Sequence, residues 1–484
     1  MNNNCLQNPP RPWALCLALC LAALFLAGEV TRAEGSDSRQ QELLGKPYLV
    51  KDIYPGDLGS DPGGFTAIKD WVFFAARDGI NGRELWKSDG TEAGTLLVKD
   101  IFPGWESSEI SQLAAVNGML FFSAWDGSHG ITLWKSDGTP DGTQMVKDIY
   151  PGLPSEPTWL VDFNGTLFFS VDDGVHGREL WKSDGTDLGT ELVKDINPGL
   201  GSSNPYDLTA VGDLLFFTAF DGQHGRELWI SDGTTEGTQL VKDILPGADT
   251  SEPVQFMAFG GALFFNADDG NSGRELWKSD GTLAGTARVK DINPGPESSD
   301  PYFLTAMEDA FFFRGTDVTH GYELWQSDGT SAGTVLVKDL NPGSESSFPH
   351  ELTPARSWLY FAAEDTIHGE ELWLSNGTQV GTRLVKDIYP GAGPSYPSGL
   401  SAINNQVFFS ADDDTGIVLW TSDGTLAGTQ PLADICKDYG CPYLPFGLTA
   451  IDRWLFFSAS DDQHGNELWT LDWGFRFFFP SIVR

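Results

Sequence analysis

Basic residues are scarce in this 484-residue chain: 30 Lys plus Arg stand against 68 Asp plus Glu, a formal charge of −38. A protein that tracks a phosphate backbone needs a basic footprint to displace counterions, so nucleic acid is excluded as a partner. Long apolar runs are also lacking. One covers residues 13–27, WALCLALCLAALFLA, and nothing after it has the length of a membrane span. No Gly-rich phosphate loop, HExxH, GxSxG or EF-hand pattern occurs. Core material is plentiful, however: 40% hydrophobic and 12% aromatic residues exclude a disordered acidic chain.

The run at 13–27 follows Arg11 and precedes the polar GEVTRAEGSDS. It falls short of the ~20 apolar residues that a spanning helix needs. With Thr31 and Ala33 at the −3 and −1 positions, residues 1–33 read as a secretory signal cleaved before Glu34, the alternative being an uncleaved anchor. A lipoprotein fits less well, because Cys16 and Cys20 each follow Leu where a small residue is expected. Losing Arg11, Arg32 and Glu29 makes the exported chain one charge more acidic. Residues 34–46 then form a linker, and the expected location is extracellular, periplasmic or cell-surface.

Five cysteines are present and three leave with the signal, so the mature chain keeps Cys436 and Cys441, in ICKDYGC. In an exported protein, one pair at this spacing is expected to form a local disulfide. A zinc site, the alternative, lacks partners, since the nearest His downstream is His464.

Length alone suggests about three domains, but the chain is one unit repeated. KDI begins at Lys51, Lys99, Lys147, Lys194, Lys242 and Lys290, returns as KDL at Lys338 and KDI at Lys386, and decays to ADI at Ala433, a step of 47 or 48 residues. The Trp of ELW keeps the step at Trp86, Trp134, Trp181, Trp229, Trp277, Trp325, Trp373, Trp420 and Trp469, giving nine units. Within 206–247, the runs YDLTAVG, DLLFFTAF, RELWISD and TQLVKDI have strand length and strand composition. Gly and Asp-Gly punctuation disfavours helix.

Four short antiparallel strands per ~48 residues mark a propeller blade. The chain opens on an isolated fourth strand, PYLVKDI at 47–53, and its last unit stops after NELWT. If the first strand completes the last sheet, residues 47–472 form an all-β propeller of nine closed blades with no free edge. An open solenoid is the architectural alternative, and it leaves the orphan strand without a purpose.

ELWKSDGTEAGT (84–95), RELWKSDGTDLGT (178–190) and RELWKSDGTLAGT (274–286) resemble the bacterial ELWxxDGT repeat proteins over nearly all of 47–472. That resemblance implies an exported repeat protein and carries over no catalytic residue. SDGTxxGT also resembles the Asp-box turn of sialidase-type propellers. Its Asp89, Asp137, Asp184, Asp232, Asp280, Asp328 and Asp423, with Asn376 in the seventh unit, are expected to accept turn amides, which an Asn oxygen also does.

Alternation in ELW places Glu and Trp on one strand face. The tryptophans are expected to pack between blades. Glu84, Glu179, Glu227, Glu275, Glu323, Glu371 and Glu467 are expected to meet a Lys or backbone amides. Seven equivalent glutamates supply none of the asymmetry that a paired-carboxylate glycosidase requires.

The DGxHG loops are the most chemically suggestive feature: Asp126 with His129, Asp173 with His176, Asp221 with His224, Asp317 with His320, Asp365 with His368, and Asp462 with His464. They share one face of the disc with the acidic PGxxSS connections. Two readings stand: weak calcium binding by the aspartates with glycan contact by the histidines, or a turn motif in which both satisfy local backbone. Departures from the repeat are also marked. Arg314 stands where other units carry Ser, Ala, Thr or Asn; Val418 replaces the ELW glutamate in unit eight; and the aromatic tail WGFRFFFPSIVR, 473–484, leaves the pattern.

The function read from sequence is an exported binding or scaffold module, offering repeated acidic loops to protein, glycan or cation. The alternative is an extracellular glycoside hydrolase or lyase using the channel mouth, and an inert shell protein comes third. Mass spectrometry of the exported protein is expected to find Cys436 bonded to Cys441; two free thiols would refute this.

Overall fold

The computed structural model describes residues 45–433, 445–461 and 463–474. The leader, the Cys436 to Cys441 loop, Asp462 and the tail beyond Gly474 lie outside the described residues. Within them, 36 strands form nine four-stranded antiparallel sheets, a nine-bladed β-propeller. Blade one comprises β2 (Gly63–Ile68), β3 (Trp71–Arg77), β4 (Arg83–Ser88) and β5 (Leu96–Lys99). In blade nine, strands Phe446–Ile451, Trp454–Ala459 and Glu467–Asp472 are completed by β1 (Tyr48–Lys51), with Tyr48 opposite Thr470 and Leu49 opposite Trp469. The N-terminal strand therefore closes the ring. The chain engages blade nine slightly before the expected linker boundary, since Gly45 N–H donates to Asp472 O at 2.8 Å.

Each second strand is buried on both faces, as in VFFAA of β3, because the blades stack face to face. The core is therefore nine interfaces rather than one centre. One cluster joins Leu85 and Ile101 of blade one to Leu120, Phe122 and Trp134 of blade two. Another joins Val50, Ile53, Phe456 and Leu468 of blade nine to Val72, Phe74 and Trp86 of blade one, sealing the ring. Burying one such aromatic or aliphatic side chain contributes roughly 1.5–3 kcal/mol. All nine ELW indole Nε1 atoms are buried without a hydrogen-bond partner, so these tryptophans act by packing, as expected. At the start of the tail, Trp473 packs edge-on to Phe408 of blade eight, ring centroids 5.1 Å apart.

Polar clasps follow the same step. Lys99 Nζ of KDI donates to Thr143 O of the next blade at 2.7 Å, and Lys51 does the same across the seam to Thr95 O at 2.9 Å. The clasp recurs through Lys386 to Thr429 O, at 3.0 Å. Ala433 in blade eight has no such donor. The SDGT turns match expectation: Asp89 Oδ1 accepts from Thr91 N and Thr91 Oγ1 at 2.9 and 2.7 Å, and Asn376 Oδ1 repeats this with Thr378 at 3.1 and 2.7 Å.

The ELW glutamates meet backbone amides and a serine, not lysine. Glu84 accepts from Ile101 N and Ser108 N at 2.9 and 3.1 Å, pinning the connection that leaves its own blade. In blade nine, Glu467 accepts from Ile53 N, Tyr54 N, Ser60 N and Ser60 Oγ at 2.6 to 3.1 Å, so it anchors the segment that closes the ring. Burial raises the pKa of each of the seven to about 7 even though the amide and serine donors favour the charged form.

Deleting residues 47–53 is expected to lower the melting temperature and cause association, because it strips Glu467 of the Ile53 amide donor and exposes a sheet edge. An unchanged, monodisperse protein would contradict closure by β1. The glutamates set a pH dependence of definite sign. A folded pKa above the unfolded one contributes stability that is full below the unfolded value near 4.5 and lost as pH rises through about 7. The melting temperature is thus expected to fall by several degrees between pH 5.5 and pH 8.5, and a rise would refute it.

Candidate functional site

The loops between second and third strands and the connections between blades emerge on one face, around the channel mouth. In each DGxHG loop the aspartate is consumed locally. Asp173 Oδ1 accepts from Val175 N and His176 N at 2.9 and 2.7 Å, while Oδ2 meets His176 Nδ1 at 2.7 Å. Asp126 with His129, Asp221 with His224, Asp317 with His320 and Asp365 with His368 repeat this. Burial opposes the charge on these carboxyls, but the ring and amide hydrogen bonds outweigh it and hold them below the ordinary range. The carboxylate bonds likewise raise His129, His176, His224 and His368.

In blade nine Asp461 pairs with His464, its Oδ1 accepting His464 N at 2.7 Å and meeting Nδ1 at 2.9 Å, while the expected Asp462 lies outside the described residues. The other five pairs are three residues apart, and that spacing points to Asp461. Blades one and five keep the turn without histidine, through Asp78 with Asn81 and Asp269 with Ser272. The motif is thus a turn device. Among the described residues no three His, Cys, Asp or Glu side chains converge, so the calcium expectation finds no cluster there to hold the ion.

Asymmetry lies further in. The first strands line the channel, and in each blade their second residue is left-handed. It is Gly64, Gly399 and Gly447 in blades one, eight and nine, but Gln112, Trp159, Asp207, Gln255, Phe303 and Glu351 in blades two to seven, with φ of 55 to 62°. An L-residue there costs roughly 1–2 kcal/mol. Four of the six repay it by reaching the next blade: Gln112 Oε1 accepts Trp159 N, Asp207 Oδ2 accepts Gln255 N, Gln255 Oε1 accepts Phe303 N and Glu351 Oε2 accepts Leu400 N, at 2.9 to 3.1 Å. Trp159, whose one polar atom is a donor, and Phe303 have no acceptor to offer the next blade's N–H, and they remain 46% and 39% exposed. Asp207, Gln255, Phe303 and Glu351 line a hollow of about 460 Å³ in this wall.

Beside it, between blades five and six, a cleft of about 500 Å³ is lined by Glu252, Val254, Arg274, Asp300, Tyr302, Arg314 and Tyr322. At the Arg314 position four other blades donate to the proline carbonyl that opens the next blade, as Ser123 does to Pro157 O and Thr218 to Pro253 O, both at 2.6 Å. Arg314 instead lies among rings, its guanidinium carbon 4.9, 5.5 and 5.7 Å from Phe303, Tyr322 and Tyr302. Its Nε is buried without a hydrogen-bond partner, and desolvation lowers its pKa. Tyr322 Oη donates to Asp300 Oδ2 at 3.1 Å and its ring stacks on Phe348 at 5.7 Å.

Across that ring, His350 Nε2 lies 3.5 Å from Glu370, whose pKa is raised by burial. Sequence reading passed over both, although His350 is the one histidine outside the DGxHG position.

No family model matches the chain, and no curated protein matches it. Among solved structures it is similar to the computationally designed Ika8 protein, at 16% identity and TM-score 0.43, over 77% of this chain and 99% of that one. Puromycin hydrolase follows at 14% identity and TM-score 0.38, over 72% of this chain but 58% of the enzyme. The β-propeller domain of the Trilobed protease from Pyrococcus furiosus matches at 11% identity and TM-score 0.37, over 75% of this chain and 95% of the domain. Likeness at this level carries no functional argument, and the blade count stands on the strand pairing alone.

Proposed function

We propose that the protein is an exported binding module of the ELWxxDGT repeat kind, whose ligand, an extracellular glycan or peptide segment, enters the channel mouth and lies against the wall of blades two to seven. The observation that carries this reading is the pair Trp159 and Phe303. Both hold left-handed positions that glycine fills in three other blades, and both leave large rings half exposed. Trp159 packs beside Tyr206 and Phe303 beside Arg314, and the part of each ring left wet is what a sugar ring or an apolar side chain stacks against. The repeated DGxHG and SDGT turns then serve as scaffold, because their carboxylates are spent on local amides.

Trp159→Gly and Phe303→Gly test the reading cleanly, since glycine already occupies these positions in blades one, eight and nine. The double variant of the full chain is expected to keep a near-wild-type melting temperature and to lose its ligands on an array of extracellular glycans and peptides. Undiminished binding would overturn the channel-wall reading, and turnover of a bound glycan would favour the hydrolase or lyase alternative.

A further inference from the structure

Nine near-identical blades give a surface of repeated chemistry, so a departure that the fold does not need marks where a single ligand is recognised. Arg314 is such a departure. In blades three, four and five an arginine at the start of the third strand is tethered: Arg178, Arg226 and Arg274 donate to Glu156 O, Asn204 O and Glu252 O at 2.8, 3.1 and 3.0 Å. In blade six that position is Tyr322, and the guanidinium comes from the second strand, held by three rings rather than by an acceptor.

A guanidinium oriented by aromatic faces, with its donors unspent, is preorganised for a planar two-oxygen anion. The rest of the cleft narrows the class. Glu252 and Asp300 each accept one phenol hydroxyl, from Tyr206 at 2.8 Å and Tyr322 at 3.1 Å, and keep acceptor capacity for further hydroxyl donors. Tyr302, which lines the cleft and is 37% exposed, offers a face to a ring with axial C–H groups. A ligand with one carboxylate, several hydroxyls and an apolar ring face satisfies all three.

We propose that the cleft between blades five and six binds an acidic sugar of the uronate type, its carboxylate on Arg314, its hydroxyls on Glu252 and Asp300, and its ring on Tyr302. A volume of about 500 Å³ accommodates one or two sugar rings, and Phe303 continues into the channel-wall hollow, so a longer chain extends inward. This rests on the binding reading above and deepens it.

Calorimetric titration of the full chain with trigalacturonate, the neutral galactose trimer, a sulfated galactose trimer and a short peptide with a free C-terminus tests the assignment. Trigalacturonate is expected to bind, and the other three to bind at least about tenfold more weakly. Arg314→Ser, which installs the residue of Ser123 and Ser170, is expected to keep the fold and weaken trigalacturonate about tenfold or more, with Arg314→Lys intermediate because it keeps charge but loses the fork. No trigalacturonate binding, or binding that Arg314→Ser leaves unchanged, overturns the proposal. If the neutral trimer or the peptide binds instead and Trp159→Gly/Phe303→Gly abolishes it, the acidic-sugar class fails while the binding function stands. If none of the four binds and the wider array is also blank, both fail.

Discussion

A buried carboxylate at the base of the third strand organises each blade that has one. It gathers the amides of the connection leaving the fourth strand, as Glu179 does with Ile196 N, Asn197 N and Ser203 N, and so converts a Pro- and Gly-rich loop into a fixed arch over the blade. That arch delivers the chain to the next first strand and thereby sets the position of the channel wall. Where the carboxylate is replaced, the arch changes. Thr132 in blade two turns to Lys147 O at 2.8 Å and to Ser155. In blade eight Val418 stands in place of the glutamate, and the connection that follows it, with Cys436 and Cys441, lies outside the described residues. The same blade lacks the Lys clasp, and its junction with blade nine combines apolar contacts among Phe408, Leu455 and Leu471 with hydrogen bonds from Ser410 Oγ to Pro445 O at 2.6 Å and from Ala450 N to Ser401 Oγ at 3.1 Å.

Closure uses the same device. Because each blade is buried on both faces by its neighbours, an open ring leaves two apolar faces in water, and the N-terminal strand removes that cost by joining the last blade. Glu467 then treats Ile53 and Ser60 as every other glutamate treats its own connection, so the seam is chemically an ordinary junction although its partners are more than 400 residues apart.

Sequence made the architecture legible because strand, turn and closure leave periodic marks: Trp every 47 to 49 residues, Asp-Gly turns, and an orphan KDI at the start. The Asp-box substitution by Asn376 was equally readable, since it preserves the acceptor. The Asp461 pairing was within reach but obscured by the doubled aspartate at 461–462. The channel wall was not readable. Its left-handed residues sit in short strands whose side chains vary from Gly to Trp, and their partners lie in the adjacent blade. Arg314 stood out as an exception, yet only the structure places it among Tyr302, Phe303 and Tyr322. The proposed binding is placed at these departures because a repeated feature makes nine equivalent weak contacts, whereas a single cleft distinguishes one ligand from another.

The account depends most on the seam being as well formed as the other junctions, and amide hydrogen exchange on the native protein measures this directly. Ile53 and Ser60, held by Glu467, are predicted to exchange as slowly as Ile101 and Ser108, held by Glu84 in blade one. Fast exchange at Ile53 and Ser60 with slow exchange at Ile101 and Ser108 would contradict a closed nine-bladed ring.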